Sequence, residues 1–171
     1  METGYSKWRK LDNAALAFPL VTDKNDTRVF RFYCQLKEEV NSEILQQSLD
    51  QTMEKYPLFQ AVLRKGLFWF YLERRDIPAI VKKETGAPCS GLYIPDKKTL
   101  LFRVSYHKNR INFEVFHALT DGTGAMHFLM ELVKDYLQEA HPEEELPELF
   151  LDENITGRDM EEDSFSQYYS S

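Results

Sequence analysis

The sequence predicts an α/β domain, an α+β two-layer sandwich, and three observations carry that prediction. Several stretches alternate apolar and polar residues at the two-residue period of a half-buried strand. Two others repeat apolar residues at three- and four-residue intervals, the period of a helix with one face on a core. The 171 residues, 43% apolar and 13% aromatic, suffice for one sizeable core. The expected organisation is one domain over residues 1–142 followed by an acidic tail or connector over residues 143–171.

Along the chain, Val29-Phe30-Arg31-Phe32-Tyr33-Cys34-Gln35-Leu36 is rich in β-formers and predicts the first long strand. A helix follows: Val40 and Leu45 are spaced for a hydrophobic staple around an Asn41 cap, and Leu45, Leu49, Met53 and Tyr56 form a core stripe until Pro57 stops it. Ala61-Val62-Leu63 and Leu67 to Glu73 are expected to pair as a hairpin across Arg64-Lys65-Gly66. Residues 76–98, with three prolines, two glycines and Lys/Asp clusters, read as a long irregular connection with a short strand at Ala79 to Val81. Thr99 to Tyr106 and Arg110 to His117 form a second predicted hairpin, turned at His107-Lys108-Asn109. Met126, Leu129, Val133, Tyr136 and Leu137 then predict a helix from about Thr123 to Ala140, ended by His141-Pro142. From Glu143 onward the chain is acidic, with Leu146, Leu149, Phe150 and Leu151 its few large apolar residues.

The stretch that carries chemistry is Phe116-His117-Ala118-Leu119-Thr120-Asp121-Gly122, at the junction of the last predicted strand and the last predicted helix. Ile111, Phe113 and Val115 alternate with Asn112 and Glu114, so a strand regular to its end points the His117 imidazole toward protein interior. A neutral imidazole held by a fixed hydrogen bond is a general base. Asp121-Gly122 forms a turn, Gly tolerating positive φ, and either Asp121 or Thr123 caps the following helix. A chance His-x-x-x-Asp-Gly has a probability of roughly one per cent in a chain this long, so placement at the junction adds to the spacing. His107, His127 and His141 have no such setting and read as ordinary surface or core residues.

His117-Ala118-Leu119-Thr120-Asp121-Gly122 resembles the HxxxDG motif of the superfamily that includes chloramphenicol acetyltransferase, the condensation domains of nonribosomal peptide synthetases and alcohol acyltransferases. Trp8-Arg9-Lys10-Leu11-Asp12-Asn13-Ala14-Ala15 with Phe18-Pro19, and Gly66-Leu67-Phe68-Trp69-Phe70-Tyr71-Leu72-Glu73, resemble most the bacterial alcohol acetyltransferase-like branch. The resemblance extends over essentially the whole chain but only over the amino-terminal lobe of a family member.

The resemblance implies the chloramphenicol acetyltransferase-like fold, one lobe with a mixed sheet covered by helices. It implies transfer of an acyl group, acetyl above all, from a coenzyme A or carrier-protein thioester to an alcohol or amine, with His117 as base and acyl-CoA as co-substrate, no cofactor being held permanently. Asp121 is implied to be structural, paired with an arginine that steadies the loop, and Gly122 to be the turn residue. The chain departs from the family in places. Gln60 stands where the arginine of a His-Pro-x-x-Arg-like segment is expected, leaving Arg28, Arg31, Arg64 and Arg103 as candidate partners of Asp121. Phe116 replaces the first histidine of the condensation-domain HHxxxDG pattern, so a peptide-condensing role recedes. The DFGWG motif and a second lobe are missing, which calls for a second lobe or further copies of the chain to complete the site. The competing class is a non-catalytic module that binds an acyl ligand or a partner.

Charge narrows the partners. Residues 1–110 hold 19 Lys/Arg against 13 Asp/Glu, a balance of +6, and residues 111–171 hold 2 against 15, a balance of −13. The acidic part repels phosphates, and no basic stripe with interleaved aromatics is present, so nucleic acid is rejected as a partner. Cys34 and Cys89 lack metal or redox spacing and are expected as reduced thiols. No metal-ligand cluster is evident. The first ten residues lack the apolar core of a signal peptide and Leu67 to Leu72 is too short to cross a bilayer, so a cytoplasmic protein without a membrane partner is expected.

Overall fold

A computed structural model describes residues 8–11, 17–23, 26–95 and 97–146. Of the acidic carboxy-terminal region, residues 147–171 lie outside the described part, as do Asp12 to Ala15 of the opening stretch. The elements in chain order are β1 (Trp8–Lys10), α1 (Ala17–Val21), β2 (Val29–Gln35), α2 (Ser42–Lys55), a single 3-10 turn (Pro57–Phe59), β3 (Ala61–Lys65), β4 (Phe70–Arg74), β5 (Lys82–Lys83), β6 (Phe102–His107), β7 (Arg110–Phe116) and α3 (Gly122–Ala140).

The strands form two sheets. A four-stranded mixed sheet has the order β2-β7-β6-β5, with β5 parallel to β6 and the other pairs antiparallel. A three-stranded antiparallel sheet has the order β1-β4-β3. Cross-strand register makes the first sheet two-faced. Phe30, Phe32, Phe102, Val104, Ile111, Phe113 and Val115 face α2 and α3 and form the main core with Leu45, Leu49, Ala125, Phe128, Leu129 and Leu132. Phe128 lies at its centre, stacked on Phe59 at 4.4 Å and on Phe113 at 4.8 Å. Each such fully buried side chain contributes on the order of 1.5–3 kcal/mol. A second core of Leu11, Ala61, Leu63, Phe70, Leu72, Leu101, Phe116 and Ala118 joins the smaller sheet to the end of β7.

The helices follow their caps. The Asn41 side chain accepts the N–H groups of Glu43 and Ile44, and Tyr56 ends α2 just before Pro57. In α3 the buried face runs through Ala125, Phe128, Leu129, Leu132 and Tyr136, so Phe128 and Leu132 belong to the stripe and Met126 leans out of it. Between α2 and α3, Lys55 bonds both Glu131 and Asp135, at 2.6 and 2.7 Å.

Boundaries differ from the sequence expectation in several places: β6 begins at Phe102 rather than Thr99, and β1 and α1 are additional elements. The β3–β4 loop is Gly66–Trp69, because Lys65 pairs with Phe70, so Leu67, Phe68 and Trp69 leave the strand. The short strand of the long connection is Lys82–Lys83, since Gln46 already binds the Ala79 carbonyl and the Val81 N–H. The second hairpin turns on two residues, Lys108 and Asn109, with Lys108 at φ 52°.

The other face of the large sheet is charged. Glu114, fully buried on β7, lies between its register partners Arg31 of β2 and Arg103 of β6. Its carboxylate accepts from Arg103 Nε at 2.9 Å and from the Cys89 N–H at 2.8 Å, and Arg31 Nε lies 3.3 Å away. Glu84 accepts from Arg31 and from Arg110, the latter at 3.1 Å, which fastens the connection to the sheet. A buried carboxylate is tolerable only with such donors. Burial pushes the free Cys34 and Cys89 thiols up, away from reactive thiolates. No described helix is long and apolar enough to cross a membrane.

Removing the central carboxylate leaves the half-buried Arg103 without a carboxylate and Arg31 with Glu84 alone, so Glu114→Ala is expected to lower unfolding free energy by about 3 kcal/mol in denaturant titration. The Arg31 hydrogen bond holds the Glu84 carboxyl below its usual range despite burial. A carboxyl with a lowered native pKa stabilises the fold above the ordinary carboxylate range and loses that contribution as pH falls through it. Glu84→Gln should therefore lose less stability than the parent between neutral and acid pH, measured by thermal melts at each pH.

Candidate functional site

The geometry at His117 follows from where the β2–β7 ladder stops. Val29 pairs with Phe116 as the last rung, and the next residue on β2's side, Arg28, has φ 52° in the left-handed region. Its carbonyl still accepts the His117 N–H at 2.9 Å, but the strand ends and the Leu119 N–H turns back to the Phe116 carbonyl at 2.9 Å. The alternation that would send the imidazole inward is broken one residue early. His117 is exposed, contrary to the interior position expected from the strand pattern.

Two aromatic rings fix the imidazole instead. Phe18, on α1, stacks on it with centroids 4.5 Å apart and planes 15° apart, and Phe30, on β2, meets it at 4.9 Å and 54°. Phe32 stands edge-on to Phe30 at 5.7 Å. Among the described residues no carboxylate lies within ion-pair reach of His117. The imidazole thus has apolar walls and an open side, an arrangement in which it can take a proton from a neutral ligand. In the sequence Phe18 stands out only through the Phe18-Pro19 resemblance, since its contact with His117 depends on the fold of α1, and Phe30 carries only a strand signal.

Asp121 caps α3. Its side chain accepts the Gly124 N–H at 2.8 Å, and its carbonyl accepts from Ala125 at 3.1 Å. The expected arginine partner is not found among the described residues. Arg28 pairs with Asp26, Arg31 with Glu84 and Glu114, Arg64 with Glu73, and Arg103 with Glu114. Gln60 donates to Asp76 at 3.3 Å. Asp121 supports the loop through a helix cap rather than an ion pair, and the cap is its own rather than Thr123's. Gly122 is the first residue of α3 and its φ is not positive. A Cβ there would lie 4.0 Å from Phe32 Cζ, an ordinary contact, so neither strain nor crowding demands glycine.

The neighbouring candidates fall elsewhere. Phe116 is fully buried, stacked with Tyr93 at 5.7 Å, so the residue before His117 belongs to the second core. His107 ends β6, His127 offers its carbonyl to Tyr56 at 3.4 Å, and His141 ends α3 at 4.0 Å from Glu38. Among the described residues no group of three His, Cys, Asp or Glu is placed to hold a metal ion.

No protein-family model matches the chain, and no curated protein matches it in sequence. Solved structures do share its fold. The starter condensation domain of rhizomide synthetase RzmA matches with a TM-score of 0.64 at 13% identity, over 97% of this chain and 45% of that one. The X-domain complexed with OxyB from teicoplanin biosynthesis matches with a TM-score of 0.65 at 11% identity, over 85% and 36%. Polyketide synthase associated protein 5 from Mycobacterium tuberculosis matches with a TM-score of 0.58 at 17% identity, over 82% and 36%. A variant of the RzmA domain has been solved with C8-CoA. The chain spans less than half the length of each, and at these identities the likeness is one of fold: the chain has the α/β fold of one lobe of a condensation domain.

The cap and the ion-pair roles of Asp121 respond differently to substitution. Asp121→Ala is expected to lower stability by about 1 kcal/mol, while Asp121→Asn or Asp121→Ser keeps most of it, since neutral oxygens cap as well. Chemical unfolding of the three variants checks this; loss of stability in all three would indicate a need for charge.

Proposed function

We propose that the chain is the histidine-bearing lobe of an acyltransferase that moves an acyl group, most simply acetyl, from a coenzyme A or carrier-protein thioester to an alcohol or amine. The observation that carries this reading is the exposed His117 imidazole, held between Phe18 and Phe30 at the end of β7 and followed at once by the Asp121-capped helix. The fold likeness to condensation domains, one of which binds C8-CoA, supports it.

A thioester is already activated, so the acceptor's proton is the main obstacle. A ring nitrogen of His117 takes the hydroxyl or amine proton as the acceptor atom bonds to the thioester carbon. The tetrahedral oxyanion then collapses, the C–S bond breaks, and the imidazolium returns its proton to the departing thiolate. Base assistance of this kind contributes about 10² to 10⁴ in rate. The apolar rings of Phe18 and Phe30 cover part of the imidazole and favour a neutral acceptor at its open side. Asp121 acts through the loop, by capping the helix that follows His117. Acyl-CoA is a co-substrate rather than a resident cofactor, and a cytoplasmic setting supplies it.

The short match to its structural neighbours favours a site completed by a second lobe or by another copy of this chain. The same observation gives the competing reading its weight, a non-catalytic half that binds a ligand or partner. Substitution of the imidazole separates the two. In the active assembly, His117→Ala should cut acyl transfer at least about a hundredfold, measured as thiol released from acetyl-CoA, with melting temperature almost unchanged because the side chain is exposed. Equal rates in mutant and parent would end the general-base assignment.

A further inference from the structure

The β3–β4 loop carries a second surface that uses none of the residues assigned to acyl transfer. Gly66 donates its N–H to the Trp69 carbonyl at 2.7 Å and closes a tight loop. A Cβ on Gly66 would meet that carbonyl at 3.1 Å and the Trp69 ring at 3.6 Å, so glycine lets the indole fold over the turn. Leu67 and Phe68 then project almost entirely into solvent, 85% and 83% exposed, with Trp69 at 48%. Three consecutive large apolar side chains at a hairpin tip, outside the core, signal a contact surface.

The charges below the tip say which. Residues 64–75 carry Arg64, Lys65, Arg74 and Arg75 against Glu73 alone; Arg64 and Arg75 pair with Glu73, which leaves Lys65 beside the tip and Arg74 at the far end of β4 as the exposed cations of the hairpin. Lys65 flanks the tip, in register with Phe70, the first residue of β4. We propose that this hairpin tip is an interfacial anchor for an anionic lipid surface, with Leu67 and Phe68 entering the headgroup–acyl boundary, Trp69 at the interface, and the cations against the headgroups. A convex apolar tip with an amphipathic indole and a basic base fits a bilayer, which yields around an inserted loop. The expectation of no membrane partner rested on the lack of a spanning segment, and surface anchoring needs none.

The full chain is mixed with vesicles of phosphatidylcholine, alone or containing phosphatidylglycerol, and sedimented. Trp8→Phe leaves Trp69 as the sole tryptophan, so its emission reports the tip. The expected result is binding to the anionic vesicles with a blue shift of Trp69. Partition should fall at least about tenfold in Leu67→Ser/Phe68→Ser, and also in Lys65→Glu/Arg74→Glu, which keeps the apolar tip, with unchanged circular dichroism. No sedimentation with anionic vesicles, or equal partition of the variants, would overturn the proposal. So would a blue shift that grows with protein concentration without lipid, which would assign the tip to a protein interface.

Discussion

The site depends on the point where one ladder stops. β2 and β7 pair from Val29–Phe116 to Gln35–Arg110, and the left-handed Arg28 ends that pairing immediately before His117. One more regular rung would have kept the imidazole on the core face. Instead the backbone is still tied, by the His117 N–H to the Arg28 carbonyl, while the side chain is released between two phenylalanines. The junction combines a fixed backbone with an accessible base, the two requirements of proton transfer to a bound ligand.

The rest of the molecule keeps that ladder in place from both sides. On one face Phe30 and Phe32 join the core beneath α2 and α3, where Phe128 and Phe113 stack. On the other, Glu114 gathers Arg31 and Arg103 from the flanking strands, and Glu84 draws the long connection onto them. Among the described residues the outer strand β2 pairs on one side only, so these two layers, rather than a second ladder, hold it. Asp121 sets where α3 begins and hence how short the turn after His117 is.

Much of this was legible in the sequence because it is local. The Asn41 cap, the stop at Pro57, the alternation of Ile111, Phe113 and Val115 and the period of α3 all act over a few residues. What escaped depends on distant partners. The alternation of β7 points to a solvated polar face, yet Glu114 and Asn112 are buried, and the connection before β6 reaches Glu114 through the Cys89 N–H. The ring of Phe18 reaches His117 from almost a hundred residues away in sequence. An arginine partner for Asp121 was an implication of resemblance, and here each candidate arginine is committed to a nearer carboxylate. The hairpin was found but its turn misplaced, since apolar Leu67, Phe68 and Trp69 read as strand while the backbone placed them at the tip.

The central claim is that the His117 backbone stays tied to Arg28 while its ring stands outside the sheet against Phe18 and Phe30. Proton NMR of the chain tests it directly, with the His117 signals assigned by a His117→Asn variant. The expected result is nuclear Overhauser contacts from the imidazole protons to both phenylalanine rings, ring-current displacement of those protons, and slow exchange of the His117 amide. Imidazole shifts at the values of an unstructured peptide, with contacts instead to Phe113 or Phe128 in the core or to no ring at all, would contradict it.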